Sequence, residues 1–203
     1  MCLPYLEHVL CIYWCNRFFT GTYLDFVALK KLPLLKPILW LSGSTLLVYA
    51  GFMVCFNGNS FLLPVWLNAA GWAVFAAGIY FFLYSLFVNL PFGKTYVKTG
   101  VGDKLVTSGF YALVRHPGVP WFVLAMAGMT LGAGTDFALW AAVIWSLLDI
   151  LLVYIQDRWV FGKMFPGYAQ YQKTTPMLIP NRKSIAAYIK QRNFSNTIQG
   201  EAK

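Results

Sequence analysis

No Lys or Arg occurs between Pro37 and Gly93, and none between His116 and Asp157. Two such stretches hold the chain to a narrow set of folds, because a transmembrane helix needs only about 20 mostly apolar residues. The cations cluster in between. They stand at Lys30, Lys31 and Lys36, at Lys94, Lys98, Lys104 and Arg115, and again from Arg158 to the C-terminus. Charged residues make up 11% of the 203 positions and hydrophobic residues 59%, whereas a soluble domain carries about a quarter charged residues. The formal charge is +9. A nucleic-acid surface would interleave its cations along one exposed face. Here they alternate with apolar stretches, as in membrane proteins whose cytoplasmic loops hold the Lys and Arg. Eight Trp suit anchoring at the two membrane interfaces. The composition predicts an integral membrane protein, with membrane lipids and no nucleic acid as partners.

The hydropathy predicts an all-α, polytopic fold built from helical hairpins. One hairpin runs from about Pro37 to Phe56, turns at Asn57–Ser60, and returns from about Phe61 to Leu90. A second runs from about Val119 to Ala133, turns at Gly134, Thr135 and Asp136, and returns from about Phe137 to Ile155. Its first arm is short for a full span. Residues 5–28 read as a further hydrophobic helix, spanning or interfacial, which makes four or five transmembrane helices. Both turns lack Lys and Arg, so every cationic cluster after residue 29 falls on one side, the cytoplasm. The whole chain reads as one membrane domain, 1–203. Within it, 1–90 supplies N-terminal membrane helices, 91–181 a half rich in candidate site residues, and 182–203 a basic cytoplasmic tail. Residues 184–194 form a surface helix in this reading, and the last few residues are disordered.

The N-terminus lacks a basic start, and Glu7 and His8 interrupt its apolar run, unlike a signal peptide. Cys2, Cys11, Cys15 and Cys55 suggest no disulfide framework. His8, Cys11 and Cys15 share a helical face, but small side chains packed in a helix account for them better than a metal site, and no metal is expected.

Chemistry is expected at the cytoplasmic ends of the hairpins. The polar loop Pro91–Pro117 and the segment Gln156–Tyr171 emerge on the same side. One brings Arg115 and His116, the other Gln156 and Asp157. Pro117 suits the first turn of a helix whatever the function. Asp149 lies within an apolar helix, seven residues before Gln156 and on roughly the same face. An intramembrane carboxylate is costly and marks a functional candidate. The competing reading is a carboxylate hydrogen-bonded to a neighbouring helix, for example at Ser85 or Asn89. Arg115 reads equally as a cytoplasmic anchor, His116 as a helix cap, and Tyr168 and Tyr171 as interface-packing tyrosines.

The stretch LVTSGFYALVRHPGVPWF, Leu105 to Phe122, joined with QDRWVFGKMFPGYAQYQKTTPMLIP, Gln156 to Pro180, resembles the signature of the isoprenylcysteine carboxyl methyltransferase and phospholipid methyltransferase superfamily. The resemblance covers about residues 84–181. It implies S-adenosyl-L-methionine as cofactor and a lipophilic substrate entering from the bilayer. It implies that Asp103, Lys104, Leu105 and Val106 follow the nucleoside and that Tyr111 shapes the same pocket. His116, Pro117, Gly118 and Val119 line it, and Gln156 and Asp157 meet the amino-acid end. The cofactor's carboxylate suits Arg115 and a His donor. Arg115, His116 and Asp149 are therefore the candidate catalytic residues.

The chain departs from that pattern at three places. Gln156 stands where the superfamily has an acid, and an amide holds an ammonium less strongly than a carboxylate does. Leu152 replaces an Arg thought to meet a substrate carboxylate, and Val119 replaces a Tyr. These changes argue against a prenylcysteine carboxylate as acceptor. An NADPH-dependent reductase of sterol or isoprenoid type is the alternative enzyme, although no Gly-x-Gly-x-x-Gly stretch follows a strand. A non-catalytic membrane relative is the other alternative.

Overall fold

The computed structural model describes residues 35–89 and 105–201, with side chains from residues 41–89 and 105–193. The expected helix over 5–28, the loop residues 90–104 with Asp103 and Lys104, and the last two residues lie outside them. The described residues form helices joined by short loops, with no strand among them and one isolated bridge between Ser60 and Thr135. Helices α1 (Leu35–Phe56) and α2 (Val65–Leu83) occupy the two arms expected of a first hairpin but do not pack along each other: α2 packs on Gly118–Ala133, and α1 on that helix and on Asp136–Ile155. Helices α4 (Gly118–Ala133) and α5 (Asp136–Ile155) form the second. Short helices α3 (Phe110–Leu113), α6 (Phe161–Met164) and α7 (Tyr168–Thr174) surround the candidate site, and α8 (Arg182–Glu201) closes the chain. The surface helix expected over 184–194 is longer than its apolar spacing indicated. Its backbone continues to Glu201.

Among the described residues, two segments are long and apolar enough to cross a bilayer, Val65–Val88 and Asp136–Met164. The α4 arm has 16 residues, about 24 Å at 1.5 Å per residue, which falls short of a ~30 Å hydrocarbon core. The two turns of the hairpins are tied together at one end. Asn59 donates from its backbone N–H and its side-chain amide to the two carboxylate oxygens of Asp136, at 2.9 and 2.8 Å. Thr135 caps α5 by accepting from the Ala138 N–H, and its hydroxyl donates to the Val54 carbonyl at 2.8 Å. Gly134 ends α4 at φ 63°, a left-handed geometry that any Cβ would disfavour. Asp136 in the first turn of α5 also meets the positive end of that helix dipole.

Helices α2 and α4 approach until backbone meets backbone. A Cβ built on Gly78 would lie 2.6 Å from the Ala125 nitrogen. One on Gly128 would collide with the Phe75 nitrogen and sit 2.8 Å from the Gly71 carbonyl oxygen. Helices in lipid gain little from burying apolar surface against each other, so close contact between small residues supplies the attraction. Phe122, Met126 and Met129 from α4, Trp145 and the alanines Ala138 and Ala141 from α5, and Ala50 and Val54 from α1 fill the core among these three helices. Meanwhile Val48, Phe52, Trp66, Tyr80, Trp140 and Leu147 are exposed on the outer faces. Large apolar side chains exposed all around a helical bundle are what a lipid-facing surface requires.

Candidate functional site

Both long helices change character at the end away from the turns. Helix α2 runs into a π-turn at Tyr84–Val88, and α5 into one at Gln156–Val160. A π-turn inserts a residue into the helical ladder and re-aims the side chains after it, often at functional sites. The second turn carries Gln156 and Asp157, and Asp157 points into the protein with 8% of its surface exposed.

Asp157 is where the expected segments meet. Arg115 forks onto it, Nε to Oδ1 at 2.8 Å and Nη2 to Oδ2 at 2.9 Å. The Tyr168 hydroxyl donates to Oδ1, and the Gln172 amide donates to Oδ2 at 3.1 Å and to the Asp157 carbonyl at 3.0 Å. His116 Nε2 lies 3.3 Å from Oδ1, its ring stacked on Phe161 at 5.7 Å between centroids. Arg115 also donates from Nη1 to the Gln172 and Thr175 carbonyls. These lie at the C-terminal end of α7, where helix carbonyls lack intrahelical partners and a cation is favoured. The backbone N–H groups of Arg115 and His116 reach the Pro176 and Met177 carbonyls at 2.9 and 3.1 Å. The Arg-His-Pro corner, the end of α5 and helix α7 are thus one clasp, held by bidentate and charge-assisted bonds of the strong kind.

The clasp gives two expected ligands partners within the protein. Asp157 was expected to accept from a cofactor ammonium, and Arg115 to donate to a cofactor carboxylate. A carboxylate offers about four lone-pair sites, and those of Asp157 face Arg115, Tyr168, Gln172 and His116. Four of the five guanidinium N–H donors are engaged within the protein. Burial alone would ease a proton off Arg115, but the hydrogen bonds and charge of Asp157 outweigh it and push its pKa up. Burial, then the Asp157 carboxylate, raises the Tyr168 phenol well above the usual tyrosine range, and burial does the same for Tyr171. Both phenols therefore stay protonated as donors.

That direction gives a pH test. Tyr168 keeps its proton in the folded protein, while the unfolded chain releases it near pH 10. The stability it adds is complete below that pH and is lost as the pH climbs further. The difference in thermal stability between wild type and Tyr168→Phe should be constant from about pH 6 to 9 and shrink above about pH 10. A difference that grows with alkaline pH would contradict the hydrogen bond to Asp157.

Behind the clasp runs a groove of about 350 Å³, lined by Leu105, Thr107, Ala112, Tyr171, Thr174 and Gln191 among others. This is the size of a small-molecule site. Tyr171 connects it to the end of α2. Its hydroxyl donates to the Tyr111 carbonyl at 2.6 Å, and the Tyr111 hydroxyl lies 3.5 Å from the Ser85 carbonyl on the other π-turn. Of the expected cofactor residues, Leu105 lines the groove, Tyr111 backs it, and Val106 is partly exposed beside them. Pro117 and Val119 are buried at the start of α4, and the open side of Gly118 faces Phe82 and Leu86. Gln156 is partly exposed on its π-turn. Asp149 is 2% exposed and lies eight residues before Asp157, about 12 Å along the axis, so it is not part of the clasp. Sequence reasoning missed Thr107, Gln170, Gln172, Thr174 and Gln191. Gln172 was detectable, since it stands four residues after Tyr168 and four residues along a helix is one face.

No family model matches the chain, and no solved structure matches it. The cobalt-zinc-cadmium resistance protein CzcN of Cupriavidus metallidurans is 33% identical to it over 88 residues, which is 42% of this chain and 39% of that protein. The matched part thus spans about two fifths of the relative's length.

Proposed function

We propose that the chain is a membrane-embedded methyltransferase that uses S-adenosylmethionine and acts on a lipophilic acceptor. One observation carries the reading: Arg115 and His116, 42 and 41 residues before Asp157 in sequence, close with it into one clasp beside a groove of small-molecule size. In this reading the hairpins make four or five spans and the clasp lies on the cytoplasmic side, where the cations gather. The groove suits the nucleoside end of the cofactor. Leu105, Ala112 and Tyr171 give it an apolar wall, and Thr107, Gln170, Thr174 and Gln191 add hydroxyl and amide partners. One further buried donor, Asn89 Nδ2, has no partner among the described residues. It belongs to the residue whose Oδ1 abuts Gly109, on the segment leading into the groove.

The bound cofactor supplies a methyl group activated by its sulfonium sulfur. The protein's work is to align the acceptor and keep water out. Arg115 and Asp157 act as positioning residues that fix α7 and hence the groove wall at Tyr171 and Thr174. His116 is held against Asp157 and Phe161 at the start of α4. In this reading Asp149, buried within α5, takes the proton of an acceptor hydroxyl or thiol that enters from the membrane side. The acceptor reaches the site laterally, past the lipid-facing side chains of the hairpins.

The direct assay incubates the purified protein with methyl-labelled cofactor and a total lipid extract. The relative's name concerns metal resistance, so extracts from cells grown with and without cobalt, zinc and cadmium belong in the comparison. Label appearing in an organic-soluble product supports the reading. Label remaining wholly in the aqueous cofactor under every condition opposes it.

A further inference from the structure

We infer that the outward face of α8 is a docking surface for an anionic lipid leaflet. Helix α8 begins at a reciprocal cap. The Ser184 N–H donates to Asn181 Oδ1 at 2.8 Å, and the Asn181 N–H to Ser184 Oγ at 3.1 Å, the capping-box pattern. With its start fixed, the helix has a defined rotation. Ser184 is buried, Tyr188 is half-buried, and Ala187 and Gln191 edge the groove while staying exposed, so the face at 184, 187, 188 and 191 is the one nearer the protein. The opposite face is not polar as on a surface helix of a soluble protein. It carries Ile185 and Ile189, one turn apart, which stand 43% and 51% exposed. Ile179, just before the helix, is 81% exposed.

Cations frame these isoleucines. Arg182, Lys183, Lys190 and Arg192 are all exposed. From Arg158 to Gly200 the chain carries seven Lys or Arg and no Asp or Glu. An apolar stripe set among four cations, with one acid only at the far end of the helix, Glu201, matches a surface that is oily below and negative above. Helices of this pattern lie in the headgroup region of anionic membranes. A nucleic acid would satisfy the charges and leave the isoleucines in water, so the lipid fits better. The surface serves the proposed site directly, because the same helix supplies Ala187 and Gln191 to the groove. Docking would hold that wall in place and make the groove sensitive to the charge of the leaflet. The inference rests on the membrane reading above.

The test places spin labels on full-length protein whose native cysteines are replaced by serine. One label goes at Ile189→Cys and a second, as control, at Val143→Cys on the exposed side of α5. Nanodiscs of phosphatidylcholine alone are compared with nanodiscs in which about a third is phosphatidylserine. Lipid contact is read as access to oxygen against access to a water-soluble nickel chelate. We expect the label at 143 to be oxygen-accessible in both discs. The label at 189 should be shielded from nickel in the anionic disc and exposed in the neutral one. Each cation replaced by Gln should lower the docked fraction's equilibrium about fivefold. A nickel-accessible label at 189 in both discs, with 143 still in lipid, overturns the inference and leaves the membrane reading intact. A nickel-accessible label at 143 overturns both. Shielding at 189 by added RNA, and not by anionic lipid, also overturns it.

Discussion

Replacing Asp157 with alanine is expected to destabilise the protein by about 3–5 kcal/mol, the cost of leaving one member of a buried ion pair without its partner. For a chain of this size that is a fall on the order of 10 °C in the thermal midpoint. The effect is large because the carboxylate is shared. It takes both forks of Arg115, the Tyr168 hydroxyl and the Gln172 amide. The guanidinium left behind stays at the end of α7, held by the Gln172 and Thr175 carbonyls. Combining the change with Arg115→Met should recover part of the loss, since removing both members of a buried pair costs less than removing one. Thermal-shift measurements in detergent on the two single variants and the double variant check this. Additive losses would mean that the two groups do not depend on each other, contrary to the clasp.

Gly128→Leu should have a comparable or larger effect by a different route. The side chain would enter the seam between α2 and α4, where the Phe75 backbone and the Gly71 carbonyl already fill the space. Overpacking of a core costs about 1–3 kcal/mol when flexible side chains can yield. Backbone cannot yield without separating the helices, so the cost should exceed that range. Leu at Gly162, where a Cβ meets nothing within 4 Å, is the matched control. The measurement is the fraction of protein that elutes as a monodisperse species from detergent-solubilised membranes. Equal recovery of the two variants would refute the backbone contact between α2 and α4.

Much of this arrangement was legible in the sequence, and the physical reasons differ from residue to residue. The hairpin arms were readable because apolar length without Lys or Arg is a one-dimensional signal. The expected turns at Asn57–Ser60 and Gly134–Asp136 stand where the described helices break. The meeting of Arg115 and His116 with Asp157 followed from topology alone, since both segments leave the same end of adjacent hairpins. What the linear reading could not provide was partner choice. Arg115 and Asp157 are opposite charges, and each satisfies the other before any ligand is needed. Single-residue spacing gave no indication of the π-turn at Gln156–Val160 that turns Asp157 inward. Nor could it show that Gln172 would share Asp157, or that α8 would present Ile185 and Ile189 outward.

The central claim is tested most directly by calorimetric titration of the detergent-solubilised protein with S-adenosylhomocysteine. The account predicts saturable binding, lost in His116→Ala. Ala187→Trp, which fills the groove from an exposed position, should weaken it about tenfold or more while the fold stays intact. No heat of binding for S-adenosylhomocysteine from folded protein, or heat for NADPH in its place, would contradict it.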